Sequence, residues 1–583
     1  MPLRVFQLLL LLLFSLPFAV PFLYAPNPVF PSELTAFGLC ALLVLAALTL
    51  PRGPRAPLPW MIWPWLGLAA LIALQGLLLP TPYLALRLIP ILYLVAGALT
   101  VLALARARDA YGWAPLLEAL VWGLLVGALA NSLLAVPQVL GKLQSGRGQV
   151  FGNIGQANMY GHYLAWGLAA LAWLCARRGI PRALFWCAGP WLAISLAWCG
   201  SRSVLMYASA WLCLGVLMLW RQREPQVARF GRWLLLAAVA VLAAQVLTPL
   251  INDLLALVLG QPHAVPSALE RLSANGARRL VEWQKAWITF TLHPWFGAGW
   301  SNYPAYSVAL HGTPAFAGAM ESKLFTHSHN SLMNLLAETG VLGTAIVLGG
   351  LGWAAAGLRR RRHDSGAWLG AALVAVTLLH SMVEYPLWYF HFLAPFILLV
   401  FVAHDDAPRR QVPDMAARGL AVIGGALLLA LTMVGLQTYR QLHPMMQPAQ
   451  TASENLDRLN RLEVLRRHPL ADFYAGFALS NYVVVNQNDI AWKLGVLDPL
   501  VQVRPYPAQL GKAAVLHALR GEHEPARRLI RQAAYAYPAN LDWFAEMPQP
   551  YAERHPAVRS LLAEVEAAEG FFRQVQAARA AHR

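Results

Sequence analysis

Two histidines and an asparagine stand together at Thr326-His327-Ser328-His329-Asn330. A neutral imidazole can take a proton from a hydroxyl near neutral pH, so this segment is suited to general-base chemistry. It lies where a long loop gives way to an apolar run, and His329-Asn330 is followed by nine residues, Gly340, two residues and Gly343. Asn330, Asn334 and Glu338 recur at i, i+4 and i+8, one polar stripe on a helix. Such a stripe is costly against lipid and must face protein or a wet cavity; for Asn334 and Glu338, gluing helices together is the plainer use. On these residues alone, His329 also fits an interfacial histidine without chemistry.

Other segments carry polar groups at the edges of apolar runs. Gly152-Asn153-Ile154-Gly155-Gln156-Ala157-Asn158 is rich in glycine and amides, so backbone N–H groups and the Gln156 amide can approach a polar ligand, although a plain turn explains the same residues. Ser201-Arg202-Ser203 places a cation in a loop otherwise poor in them, which fits either an anion site or an arginine snorkelling to lipid phosphate. In His380-Ser381-Met382-Val383-Glu384-Tyr385-Pro386-Leu387-Trp388-Tyr389, Pro386 fixes a turn that presents Glu384 and Tyr385 at headgroup level, where Tyr385 also fits a belt aromatic.

The elements that position these groups are membrane spans. The chain has 583 residues, 58% hydrophobic and 13% charged, with a mean hydropathy of +0.49. Thirteen apolar windows are long enough to cross a hydrocarbon core of about 30 Å: near 5–25, 32–50, 58–79, 83–104, 115–137, 159–175, 182–198, 203–219, 231–251, 331–357, 367–384, 386–403 and 417–437. Those around Pro190 and Gly343 are candidates to break or re-enter. The net charge of +17 does not point to nucleic acid, because its arginines fall in every second loop. Arg52, Arg55; Arg106, Arg108; Arg177, Arg178, Arg182; Arg221, Arg223, Arg229, Arg232; Arg359 to Arg362; and Arg409, Arg410, Arg418 alternate with short loops that hold only Lys142, Arg147 and Arg202. This positive-inside pattern puts the N-terminus in the cytoplasm and everything after residue 437 outside. Arg4 before the first apolar run also suits a signal peptide, but Leu23 stands where cleavage after Ala25 wants a small residue, so an uncleaved anchor is expected. Cys40, Cys175, Cys187, Cys199 and Cys213 have no metal-ligand spacing, and no disulfide framework is expected.

The expectation is therefore an all-α polytopic membrane protein of about thirteen spans. Residues 1–437 form the membrane domain, with an outer loop near 252–330, and residues 440–583 form a soluble helical domain. In the loop, Arg279, Trp283, Trp287 and Phe290 follow helical spacing with Glu282 and Lys285 off that stripe, as in a helix lying in the interface; His293-Pro294 stops it, Gly297 and Gly299 turn the chain, and Trp300 and Tyr303 suit headgroup anchors. Ala513 to Pro538 read as helix, turn at Gly521, helix and proline stop, similar to one tetratricopeptide unit. Such a pair docks a partner or forms a rigid lid.

The spacing from His329 to Gly343 resembles that of bacterial O-antigen ligases and their pilin-glycosylating relatives, the O-oligosaccharyltransferases, and the likeness runs over most of residues 130–440. The Gly152–Asn158 segment resembles the Gly-Asn-x-Gly-Gln-x-Asn element of the pilin-type enzymes, Ser201-Arg202 resembles a Ser-Arg in the ligases, Arg279 matches a second family arginine in spacing, and the Glu384-Tyr385-Pro386 stretch is similar to one whose tyrosine matters for transfer. Tyr160, after Met159, departs from the commoner short residues there. The resemblance implies His329, Tyr385 and Gln156 as catalytic residues, and Arg202, Arg279, Asn330, Glu384, Asn153 and Asn158 as substrate-binding ones; Arg278 is an alternative to Arg279. It implies O-linked protein glycosylation at the outer face of the bacterial inner membrane, from an undecaprenyl-pyrophosphate-linked glycan to Ser or Thr of pilin or another periplasmic protein. Two guanidiniums can neutralise a departing pyrophosphate while His329 takes the acceptor proton, with inversion at the anomeric carbon and no metal or cofactor. Transfer to lipid A core and glycan polymerisation share these motifs. A lipid or glycan transporter would instead show matched half-repeats or ionisable residues near the midplane, and neither is clear.

Overall fold

The computed structural model describes residues 2–21, 27–79, 81–145, 149–177, 180–221, 224–260, 277–405 and 410–581. Leu23 and Ala25, Arg147, Arg178, Arg223 and Arg409, loop residues 261–276, and the side chains of Arg221 and Arg278 lie outside the described residues.

Each of the thirteen apolar windows falls on a helix. These are α1 (Pro2–Ala19), α2 (Phe30–Thr49), α3 (Trp60–Leu78), α4 (Ala85–Tyr111) and α5 (Ala114–Ser145); α6 (Ala157–Ala176); α7 (Ala183–Trp198), α8 (Ser203–Trp220) and α9 (Pro225–Leu259). After the amphipathic α10 (Ala277–Leu292) and short α11 (Tyr303–His311) come α12 (Ser331–Arg360), α13 (Ser365–Ser381), α14 (Phe390–His404) and α15 (Asp414–Met445). Among the described residues, nine are long and apolar enough to cross a membrane, and α7, α13 and α14 are shorter apolar helices. Pro190 sits inside α7 without ending it. The span around Gly343 does break: the non-helical residue in α12 is Gly340 (φ 62°, ψ −162°).

The chain divides into two compact units: Met1–Ala69, Leu92–Ala274 and Ala345–Leu436; and Ala70–Ile91, Asn275–Thr344 and Gln437–Arg583. In the first unit α6 is central, with every residue except Asn158 buried. It packs on α5, α7, α9 and α13. Gly167 permits that closeness, since a Cβ there would lie 2.2 Å from the Ala128 Cβ. The arginine-rich loops of this unit are anchored by carboxylates: Asp414 pairs with Arg106 at 2.6 Å and Arg418 at 2.8 Å, and Asp405 pairs with Arg108. A two-stranded antiparallel ribbon, β1 (Arg55–Leu58) with β2 (Arg410–Pro413), joins two of these loops.

The second unit is built on α16 (Ala452–Leu465), α17 (Asp472–Tyr482), α18 (Ile490–Val503), α19 (Pro507–Leu519), α20 (His523–Ala536) and α21 (Pro556–Ala581). The helix, Gly521 turn (φ 85°), helix and Pro538 stop expected from the sequence are α19 and α20. Their apolar faces close one core that also takes in Val308 of α11. Asp472 accepts from the N–H groups of Leu84 (2.6 Å) and Ala85 (3.1 Å), satisfying donors at the start of α4.

Candidate active site

In the first unit, the chain doubles back before α6 through Gly152 and Gly155, with φ of 55° and 82°. Gln138 holds this turn by accepting from the Phe151 and Gly152 N–H groups and donating to the Gly152 carbonyl. Asn153 braces the same turn, its N–H donating to Asn131 Oδ1 and its Nδ2 to the Ala19 carbonyl. Gln156 is the extended N-cap of α6, and its half-buried side chain makes no capping bond. Asn158 Nδ2 donates to the buried Glu384 Oε1 at 2.7 Å. Tyr385 follows at the head of a turn fixed by Pro386, with its ring 5.7 Å from that of Tyr389. Burial, opposed by a hydrogen bond with Tyr389 and reinforced by the Glu384 carboxylate, holds the Tyr385 phenol above its ordinary range, so it is protonated at neutral pH. Arg202 lies half-buried in the turn leading into α8, its carbonyl accepting from Leu205 N–H.

In the second unit the histidine loop is shaped by backbone that L-residues rarely adopt. Gly297 (φ 71°), Gly299 (φ 95°) and Ser301 (φ 68°) lay the chain along the kink in α12, where Ala298 N–H donates to Ala337 O and Gly299 N–H to Glu338 O. A Cβ on Gly340 would stand 2.3 Å from the Trp295 carbonyl oxygen, and one on Gly297 would stand 2.4 Å from that of Glu338. Gly343 allows a second close approach, to Thr339 and Leu71. Gln75 ties these parts together, donating to the carbonyls of Phe296 and Glu338 and accepting from Trp300 N–H.

His329 itself has φ 54°, half-buried, with its ring edge-on to Phe325 at 5.7 Å. Backbone in this region costs a non-glycine residue about 1–3 kcal/mol. The polar stripe below holds it there. Asn330 Oδ1 accepts from Leu332 and Met333 N–H groups and starts α12, Asn334 Oδ1 accepts from Ser328 N–H, and Glu338 Oε1 accepts from Tyr303 N–H. His327 Nδ1 lies 3.0 Å from Thr326 Oγ1. Burial, joined by the charge of Arg504 and by His329, holds His327 well below the ordinary histidine range, so it is neutral at pH 7.

Arg279 lies half-buried in the first turn of α10. On this helix the burial is the reverse of what its aromatic stripe suggests. Trp287 is 50% exposed, whereas Glu282 and Lys285 are each 1% exposed. They are tolerated inside because they are paired and bonded: Lys285 Nζ reaches Glu282 Oε1 and His311 Nδ1, both at 2.7 Å, and Ser307 donates to Glu282 Oε2. Tyr303, expected as a headgroup anchor, is fully buried and donates to the same carboxylate at 2.8 Å. Burial, aided by Lys285, pushes His311 down to about 4, so it receives the Lys285 proton donor as a neutral base.

The sequence-derived candidates thus gather in two sets. Gln156, Asn158, Glu384 and Tyr385 share one helix end in the first unit, where Asn153 and Arg202 also belong. His329, Asn330 and Arg279 belong to the second. Two buried cations beside the Gly299–Ser301 turn escaped the sequence reading. Arg87, inside the fourth apolar window, donates through Nη1 to the carbonyls of Gln75 and Leu79, while its Nε and Nη2 are buried without a partner. A charge one turn inside an apolar window was the available signal. Arg504 donates to the Ser301 carbonyl at 2.7 Å and hydroxyl at 2.5 Å, and no local pattern distinguishes it from the solvated arginines around it.

Comparison with known proteins finds similarity along most of the chain. Residues 187–348 match the family described as O-Antigen ligase, residues 150–175 that described as protein glycosylation ligase, and residues 368–552 that described as virulence factor membrane-bound polymerase, C-terminal. A general O-oligosaccharyltransferase of Acinetobacter baylyi is 24% identical over 559 residues, covering 90% of this chain and 91% of that protein. The chain is thus similar, over successive segments and most of its length, to the O-antigen ligases and the protein-glycosylating O-oligosaccharyltransferases.

Proposed function

We propose that this multi-pass membrane protein transfers a glycan from undecaprenyl pyrophosphate to Ser or Thr hydroxyls of a periplasmic protein, pilin among the candidates, at the outer face of the inner membrane. The carrying observation is the Asn158–Glu384 hydrogen bond, which gathers the glutamine element and the tyrosine element, far apart in sequence, at one helix end. In the proposed reaction His329 takes the acceptor proton, the hydroxyl oxygen forms a bond to the anomeric carbon, and the carbon–oxygen bond to pyrophosphate breaks with its electron pair leaving on phosphate. Arg202 and Arg279 offset that charge, and the protonated Tyr385 and the Gln156 amide donate to oxygens of the donor. The segment 440–583 docks the acceptor.

A lipid-linked oligosaccharide, purified protein and a Ser-containing acceptor test this directly. The product should release its glycan by β-elimination and carry the inverted anomer. Glycan found only on lipid A core would refute protein transfer. A second reading, glycan polymerisation, is favoured by the match of residues 368–552 to the polymerase family. Lengthening of the lipid-linked glycan without acceptor would select it.

A further inference from the structure

The histidines at 162 and 380 belong to no element of the proposed chemistry, yet both are fully buried and they face each other. Their ring Nδ1 atoms are 3.0 Å apart. They form one rung of a ladder of hydrogen bonds between antiparallel helices α6 and α13. Asn158 bonds Glu384, His162 bonds His380 and, through Nε2 at 3.1 Å, Thr377; Trp166 Nε1 donates to Leu373 O and Trp173 Nε1 to Ser365 O. Positions 158, 162, 166 and 173 follow helical spacing on α6, so a single face carries the whole ladder.

Proton bookkeeping closes the middle rungs. The Thr377 hydroxyl lies 3.1 Å from His162 Nε2 and 3.3 Å from the Leu373 carbonyl, and its single proton serves one or the other. Either choice leaves one proton to lie between His162 Nδ1 and His380 Nδ1, so the facing nitrogens are satisfied in both senses of the chain with both imidazoles neutral. Sliding or rotating α6 by one residue would strand these donors where water is scarce, whereas apolar side chains would tolerate such a shift. Asn158 and Glu384 lie one helical turn beyond His162 and His380, and Gln156 and Tyr385 adjoin them.

We propose that the His380–His162–Thr377 chain fixes the register of α6 against α13 and thereby holds Gln156 and Asn158 in their reactive relation to Glu384 and Tyr385. The two histidines are positioning residues, acting without touching substrate. This rests on the glycosyl-transfer reading above.

The test uses full-length protein in membranes, with donor KM, kcat and thermal stability measured for His162→Leu/His380→Leu, His380→Asn and His162→Asn. Misplacing reacting groups slightly costs up to about 100-fold in rate, so the double leucine variant should lose about 10- to 100-fold in kcat with KM little changed. Asn places an amide, able to donate or accept, where His380 Nδ1 stood, so His380→Asn should recover most of the rate. His162→Asn, which keeps a hydrogen-bond partner for His380 but loses the bond to Thr377, should fall between. A folded double leucine variant with wild-type kcat would overturn the proposal, as would His380→Asn no better than the double leucine variant. His329→Ala run alongside separates the two claims: if it is dead while the leucine pair is active, only the positioning role fails.

Discussion

The two sets of candidate residues are held by opposite means. The helix end with Asn158 and Glu384 is fixed by side chains bonding between helices, with left-handed backbone carried by glycines alone, at Gly152, Gly155 and Gly200. The loop with His329 is fixed by backbone forced into the left-handed region at Gly297, Gly299, Ser301, His329 and Gly340, clamped by buried polar groups. The difference matters for tolerance. A helix-borne site yields gradually to substitution, whereas a strained loop depends on every clamp that over-determines it.

The largest effects should therefore fall on the loop. Gly340→Ala adds strain and drives a methyl into the Trp295 carbonyl, and should cost about 3 kcal/mol or more, read as lost folded protein and a lower Tm. Gly161→Ala on the helix side, where a Cβ would meet the movable Cys199 Sγ at 3.1 Å, should cost about 1 kcal/mol. Comparable losses at the two glycines would erase the distinction.

Next comes the buried pair under the loop. Lys285→Met strands the Glu282 carboxylate and should destabilise by about 3–5 kcal/mol, while Glu282→Gln with Lys285→Met should recover much of it. A double variant as unstable as the single one would mean that packing, not charge, is at stake. Arg504→Lys should be milder, about 1–3 kcal/mol, because lysine keeps the charge but not the fork that grips both the Ser301 carbonyl and hydroxyl. Transfer should slow with it while Asn158–Glu384 contacts persist.

The smallest effect lies away from both regions. Burial opposes charge on His517, but hydrogen bonds and charges from Asp498 and Glu522 outweigh it and raise the imidazole above its ordinary value. A raised folded-state pKa gives stability that is complete below about 6.5, the unfolded value, and is lost as pH rises through the folded one. His517→Gln should flatten that dependence of Tm on pH above about 6.5 without altering transfer at matched folding.

What was legible in the sequence follows the same division. Period and length gave all thirteen helices, because lipid leaves a spanning chain few options. The helix pair at 507–536 was equally plain from its apolar spacing and Gly521. The Asn158–Glu384 partnership was not, since nothing local reports which helices will be neighbours. On α10 the aromatic stripe misled: Glu282 and Lys285 are polar by type but buried by pairing with each other, with His311 and with Tyr303, a closure that appears only in three dimensions. A break in the span around Gly343 was legible, but not that Gly340 carries it, because the decisive neighbour, the Trp295 carbonyl, comes from a distant loop.

The central claim is general-base transfer by His329, with neighbouring His327 in support. Intact-mass measurement of an acceptor protein co-expressed with matched membrane levels of wild type, His329→Ala and His327→Ala tests it most directly. Losing a general base typically costs about 10²- to 10⁴-fold, so His329→Ala should leave the acceptor at its unmodified mass while His327→Ala still adds glycan. A glycosylated acceptor with His329→Ala, beside an unmodified one with His327→Ala, would contradict the assignment.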